Sequence, residues 1–340
     1  MPHLERALAL AEHNQLTDTL SHALNTKAVT LLRRNRFHEA RLLQEGALEL
    51  ALAHDHHAAA LRAYNNLISL SWTTGQMHAT LTLVERALEH ARRVGERGSE
   101  AQFVATLVSV YSDLGRWDEA LAKAAEAEKI ATTEFAKSFI LGAIPIFCER
   151  GVPEEARAMM TRLDVVGRSK NPDHIGWWAI TEAQVLRTEG RFEEALAAVD
   201  RALAVTAETG AGPRTEGMLE ALETAARIGE TELRARLAQL DELSPTEQTP
   251  FLRGQRARFQ TRLTPDEADT LYRTAMRLIG EKELPFHLAV AQLEYAEWLA
   301  AQSRADEAEP LLTEAAATFE RLRATPWIER AARSREPVRV

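Results

Sequence analysis

The sequence predicts an all-α fold, a right-handed superhelical solenoid of about eight helix-turn-helix repeats. The first observation behind this is a corner motif that returns along the chain. Its clearest copy is Ser112-Asp113-Leu114-Gly115-Arg116-Trp117-Asp118-Glu119-Ala120-Leu121. Gly115 is placed to end one helix in a left-handed conformation that is cheap only for glycine. Trp117 is expected to wedge between two helices, with Asp118 and Glu119 at the positive start of the second. Further copies are Asn35 to Ala40, Gly151 to Ala156, Gly190 to Ala195 and Ser303 to Ala308, and weaker ones start at Gly75, Gly229 and Leu263.

The second observation is a spacing. Seven residues after the corner alanine position stands another small or apolar residue: Ala47, Ala87, Ala127, Leu163, Ala202, Ala275 and Ala315. The sixth copy implies Asp241 there, a departure. The third observation is composition: Ala, Leu, Glu and Arg dominate and aromatics make up only 6%, which favours helix throughout. A two-helix unit of this length cannot bury its apolar face alone, so neighbours must stack into a continuous core.

In chain order, residues 1–16 read as the second helix of a truncated repeat or as a cap, because Leu4-Glu5-Arg6-Ala7-Leu8 matches Val84-Glu85-Arg86-Ala87-Leu88. Of the two, the truncated repeat of a longer protein is favoured. Residues 17–166 hold repeats one to four, with hairpins at 17–57, 58–97, 99–133 and 134–166. Pro145 is expected to kink the first helix of the fourth. Residues 167–242 hold repeats five and six, separated by a loop at 209–213. Residues 243–328 hold repeats seven and eight, and 329–340 read as a frayed polar tail.

The corner, the spacing and the small residue seven further on resemble tetratricopeptide repeats, in a longer variety of about 40 residues. The resemblance covers essentially the whole chain. In the last third, Leu243-Ser244-Pro245, Thr249-Pro250-Phe251-Leu252-Arg253-Gly254-Gln255-Arg256-Ala257-Arg258-Phe259, Leu284-Pro285-Phe286-His287-Leu288-Ala289, Glu294-Tyr295-Ala296-Glu297-Trp298-Leu299 and Ala324-Thr325-Pro326-Trp327 resemble the C-terminal helical-repeat region of large bacterial signalling regulators. In those proteins the array follows an ATPase module, often with a nucleotide cyclase or helix-turn-helix domain. The resemblance implies that the array senses or scaffolds and that chemistry resides upstream. Leu263 at a corner and the irregular sixth unit depart from the pattern.

Bulk properties narrow the function. Lys and Arg number 41 against 50 Asp and Glu, a net charge of −9, which disfavours broad nucleic-acid binding. No stretch approaches ~20 uninterrupted apolar residues, and residues 1–30 lack a signal-peptide pattern. Cys148 is the only cysteine, which excludes an internal disulfide and fits a reducing compartment; the cytoplasm is expected. Phosphate-cradling glycine loops and a nucleophile elbow are absent from the sequence, so no catalytic residue and no cofactor is assigned. His54, Asp55, His56 and His57 cluster, but neighbours on a helix point different ways, so a polar helix end is expected rather than a metal site. Arg33, Arg34, Arg36, Arg253, Arg256, Arg258 and Arg262 read first as solvated or acid-paired side chains, with an anion or acidic-partner site as the sharper alternative.

The predicted binding surface is the concave wall, lined by first helices. Positions thirteen, ten, nine, six and three residues before the corner project into it: Arg62, Asn65, Asn66, Ser69 and Trp72 in the second unit, Gln102, Ser109 and Ser112 in the third, Trp177 and Gln184 in the fifth. Such amides and hydroxyls with an arginine suit an extended peptide backbone or a carboxylate. The competing reading is that Asn65 and Asn66 bond the next hairpin as packing. The expected function is a non-catalytic scaffold for a protein or peptide partner; the alternative is a small-ligand or signalling-peptide sensor whose curvature changes on binding.

Overall fold

A computed structural model describes residues 2–32, 34, 36–207, 211–244 and 247–335. Arg33 and Asn35 of the first corner, Thr209 and Gly210, Pro245 and Thr246, and tail residues 336–340 lie outside the described residues. The described chain is all-helical, and no helix in it is long and apolar enough to cross a membrane. After α1 (Pro2–His13), helices pair in succession: α2 (Thr17–Leu32) with α3 (Phe37–Ala53), α4 (His57–Thr73) with α5 (Met77–Val94), and α6 (Arg97–Asp113) with α7 (Trp117–Ile130). The fourth unit is broken: α8 (Glu134–Ile140), a 3-10 turn, α9 (Ile144–Arg150), α10 (Pro153–Arg162) and the short α11 (Asp164–Gly167). Then come α12 (Pro172–Thr188) with α13 (Phe192–Val205), α14 (Ala211–Ile228) with α15 (Glu230–Asp241), α16 (Pro250–Gln260) with α17 (Ala268–Gly280), α18 (Pro285–Ala301) with α19 (Ala305–Leu322), and a last helix α20 (Thr325–Arg335). The helices follow one another as a solenoid.

The corners explain the pairing. Gly115 has φ +68°, and the next amide, Arg116 N–H, reaches back to Tyr111 O at 2.8 Å, closing the left-handed cap of α6. The same reach-back joins Gln76 to Ser71, Arg191 to Leu186 and Arg304 to Leu299, the last with Ser303 in the left-handed region. An arginine before the second helix recurs too: Arg36, Arg116, Arg191 and Arg304 pair with Glu39, Glu119, Glu194 and Glu307, three residues on. Each pair ties the corner to the first turn, although exposed ion pairs of this kind contribute only ~0–1 kcal/mol.

Ala47, Ala87, Ala127, Leu163, Ala202, Ala275 and Ala315 are all buried, so the predicted spacing marks helix contacts. Asp241 does not take that role: it is exposed and accepts from Arg256 at 2.6 Å. The sixth unit packs instead through Leu233, Leu237 and Leu240, a register one residue earlier. The break in the fourth unit falls at Leu141–Ala143, just before Pro145. That is where proline's missing N–H and its clash with the preceding turn act. Residues 329–335, expected as tail, continue α20, which buries Trp327 and Ala331.

Trp117 is 5% exposed and donates to Ser112 O at 3.1 Å, as the corner motif predicts. Its ring also lies 5.4 Å from that of Phe286, on α18. This contact belongs to a larger return of the chain on itself. Carbons of Lys282, Pro285 and Pro326 press against Gly75, Gly115 and Gly151, the corners of units two, three and four. Arg321 donates to Gly115 O at 3.0 Å, and Arg150 donates to Leu322 O at 3.1 Å. Trp327 Nε1 donates to Glu149 at 2.7 Å. The last units therefore close against the corners of units two to four, and the array is a closed turn rather than an open trough.

Candidate functional site

The first helices carry two chemistries at the positions predicted to face inward. In units one to three these are amides, hydroxyls, an imidazole and one guanidinium, Arg62. Asn66 Nδ2 donates to Asn25 Oδ1 at 3.3 Å, and Gln102 Nε2 donates to Asn65 Oδ1 at 2.6 Å. These amides link α2 to α4 and α4 to α6, so part of their bonding capacity goes to packing neighbouring hairpins. Arg62 is exposed and donates to Thr26 Oγ1 at 3.1 Å, with His22 Nδ1 at 3.3 Å. No carboxylate pairs with Arg62 among the described residues. Ser69, two turns further on, is exposed as well.

Of the remaining predicted residues, Ser109 Oγ donates to Phe139 O at 2.8 Å and packs against Gly142; it joins units three and four. Ser112 contributes its carbonyl to Trp117. Trp72 hydrogen-bonds Asp113. Trp177 and Gln184 lie half-buried on α12, Trp177 packing against the core, away from the Arg62 row. The structure thus brings together Arg62, Asn65, Asn66, Ser69 and Gln102, and adds His22, Asn25 and Thr26. These three stand thirteen, ten and nine residues before Asn35, the same places that select Arg62, Asn65 and Asn66.

In units five to eight the wall is charged. Arg187 on α12 donates to Glu220 at 2.7 Å and to Glu149 at 3.4 Å. Arg258 on α16, 1% exposed, donates to Glu223 at 2.6 Å and makes a two-pronged bond with Glu294 at 2.7 and 3.0 Å. Arg330 on α20 forks onto Glu297 at 2.6 and 2.9 Å. Burial pushes Glu223 up, but the charges of Arg258 and Arg187 outweigh it and hold its carboxyl down at about 2. His287, half-buried beside Phe251 and Phe286, is pushed down by desolvation to about 4 and so is neutral. This network was within reach of the sequence: Arg187 stands three residues before Gly190, Glu220 and Glu223 nine and six before Gly229, and Glu294 and Glu297 nine and six before Ser303. Of the arginines weighed in the sequence, Arg258 is internal and Arg256 pairs with Asp241, while Arg253 is exposed.

At the seam between the halves sit Trp72, Asp113, Glu216 and Lys282. Burial raises Asp113, and the charge of Glu216 raises it further, to about 7, against the opposing effects of Lys282 and the Trp72 hydrogen bond. Burial likewise raises Glu216, with Lys282 opposing.

Other candidates resolve simply. Cys148 is buried, and burial pushes its thiol up to about 12, leaving no thiolate at neutral pH. His56 bonds Thr17 at 2.7 Å and stacks on His54. No group of three or more metal-type ligands is assembled among the described residues. Hollows of about 400 and 360 Å³ lie beside Trp178 and Arg201 and beside Arg214 and Gln239.

No family model matches the chain, and no curated protein matches it. Among solved structures, the crystal structure of yeast Tom70 is similar over 93% of this chain and 96% of that one, at 12% identity and a TM-score of 0.31. So loose a superposition carries no argument about function.

Proposed function

We propose that the chain is a non-catalytic, tetratricopeptide-like scaffold that docks a protein or peptide on the concave wall of units one to three. The observation that carries this reading is Arg62: an exposed guanidinium with no carboxylate partner among the described residues, in a row of amides and hydroxyls. Such a row fits an extended backbone, and the planar fork of arginine fits a terminal or side-chain carboxylate. The sequence resemblance adds a context, the regulatory segment of a bacterial signalling or transcriptional regulator in the cytoplasm. The test is selection from a displayed random-peptide library on the immobilised chain, followed by affinities for Arg62→Ala. At least tenfold weaker binding with an unchanged melting temperature supports the proposal; equal binding overturns it.

The closure of the last units onto units two to four favours a second reading, a sensor. A ligand that bridged or parted that seam would change the curvature of the turn. Scattering curves that shift when a selected peptide is added would support it.

A further inference from the structure

The charged network begins and ends on α20. Trp327 Nε1 donates to Glu149 on α9 at 2.7 Å, and Arg330 forks onto Glu297 on α18 at 2.6 and 2.9 Å. Ser334 Oγ also donates to Glu297, at 3.0 Å. Every hydrogen bond that Glu297 accepts among the described residues therefore comes from α20, and beside Trp327 Glu149 accepts only the long 3.4 Å bond from Arg187. The Trp327 ring stacks on Phe319 and meets Phe286 edge-on, each at 5.6 Å. The Arg330 guanidinium lies 5.5 Å from that ring, so an aromatic and a cation three residues apart share one face of the helix.

That face is most of what holds α20. Of its eleven residues only Trp327 and Ala331 are buried, against eight of seventeen on α18. A helix this short is marginal on its own, and so polar an attachment places it at the low-stability end of the fold. It joins α19 through Arg323, whose φ of +56° is a left-handed conformation that strains a residue with a side chain. If α20 swung away, Glu294 would keep Arg258 and Arg262, but Glu297 would have no cation and the rings of Phe286 and Phe319 would be bare.

We propose that α20 is an internal ligand, filling a docking site that bridges α9 and α18 and fits a helix of another protein with an aromatic N–H donor and, one turn on, an arginine. Vacated, the site offers an aromatic floor beside an unanswered carboxylate, which selects a cationic amphipathic helix over an acidic one. A small residue at the place of Ala331 lets such a helix lie close. The hinge at Arg323 lets the chain's own helix leave without unfolding α19. The partner has to displace an intramolecular competitor, so α20 sets the threshold for docking. This site is separate from the Arg62 row and stands whether or not that row binds a peptide.

The test titrates a fluorescent peptide of residues 324–335 against the full chain and reads anisotropy. Wild type is compared with Trp327→Phe plus Arg330→Gln, which loosens the internal helix, and with that pair plus Glu297→Gln. The proposal expects at least tenfold tighter binding to the loosened chain than to wild type, and at least tenfold weakening when Glu297→Gln is added. A peptide carrying Arg330→Gln should bind the loosened chain at least tenfold more weakly than its parent. Hydrogen exchange on the wild type is independent of the variants: the α20 amides should exchange as one block, at least tenfold faster than those of α18. Equal peptide affinity for wild type and loosened chain, no binding to either, or affinity unchanged by Glu297→Gln or by the altered peptide overturns the proposal. So do α20 amides protected as strongly as those of α18, and wild-type dimers that the peptide dissociates, which would give the site to a second copy.

Discussion

The first helices of units one to three and of units five to eight are built on the same hairpin yet carry different chemistry at equivalent positions. Six residues before the corner stand Ser69, Ser109 and Gln184 in the second, third and fifth units, but Glu223 in the sixth and Glu297 in the eighth. Nine residues before it, Asn66 gives way to Glu220 and Glu294. In units one to three the bonds between successive first helices run amide to amide. The charged half is locked by forked ion pairs between successive first helices. In a stack where each unit touches only its neighbours, one inner position can thus be tuned for recognition at one end and for rigidity at the other.

The sharpest way to break this contrast is to cut the locked half. Arg258→Ala leaves Glu223 and Glu294 buried without their guanidinium and should cost roughly 3–5 kcal/mol in chemical denaturation; a change below about 1 kcal/mol would show that the network is ornamental. Trp117→Ala removes a buried ring that serves both its own corner and Phe286, with an expected loss of similar size, roughly 3–5 kcal/mol. It should also expand the molecule, which Arg258→Ala should do less.

Asp113 at the seam and Glu223 in the charged network give a pH-dependent test with opposite signs. The folded-state pKa of Asp113, about 7, lies above its ordinary value of 3.8, so the folded chain holds a proton that the unfolded chain releases. Its contribution makes stability rise as pH falls from about 8 toward 4, by at most about 1.4 kcal/mol per pH unit. Glu223, held at about 2, does the reverse: its contribution is full above the ordinary carboxyl range and is lost as pH falls toward 2. Asp113→Asn should flatten the upper limb and raise stability at pH 8. An unchanged melting profile between pH 5 and 8 would contradict the enclosure of Asp113.

Two corner glycines sharpen the comparison at smaller scale. Gly115 and Gly190 share a left-handed conformation, φ +68° and +78°, but a Cβ on Gly115 would lie 2.9 Å from Pro285, while one on Gly190 would meet nothing within 4 Å. Gly190→Ala should cost about 1–2 kcal/mol from backbone strain alone. Gly115→Ala should cost more, with loss of closure, and equal costs would mean that the seam does not bear on the corner. The smallest effect belongs to the neutral half: Asn65→Ala with Asn66→Ala should cost within about 1–2 kcal/mol, the scale of the two bonds removed, while abolishing peptide capture. A much larger loss of stability would assign those amides to packing.

Much of the fold was legible because it is periodic. The corner and the buried residue seven beyond its alanine mark the hairpins directly, and Pro145 announced the break in the fourth unit. Asp241 misled because the sixth unit has slipped by one residue, which a spacing rule carried over from neighbours does not detect. Residues 329–335 read as tail because part of what holds α20 is unit four, where Trp327 meets Glu149 far back in the sequence. For the same reason the closure was illegible: Pro285, Pro326 and Lys282 look like ordinary loop residues until the array curves back to Gly115, Gly151 and Gly75. The charged wall was legible in principle, since the rule that selected Asn66 and Ser69 also selects Glu220 and Glu223. What the rule does not reveal is that these carboxylates find Arg258 and Arg187 on neighbouring helices.

Small-angle X-ray scattering on the full chain tests the closed turn most directly. A curve that fits the closed turn for the wild type, with a larger radius of gyration for Trp117→Ala, is the expected result. A wild-type curve requiring an extended rod, with units eight and three apart, would contradict the closure and the division of the concave wall that depends on it.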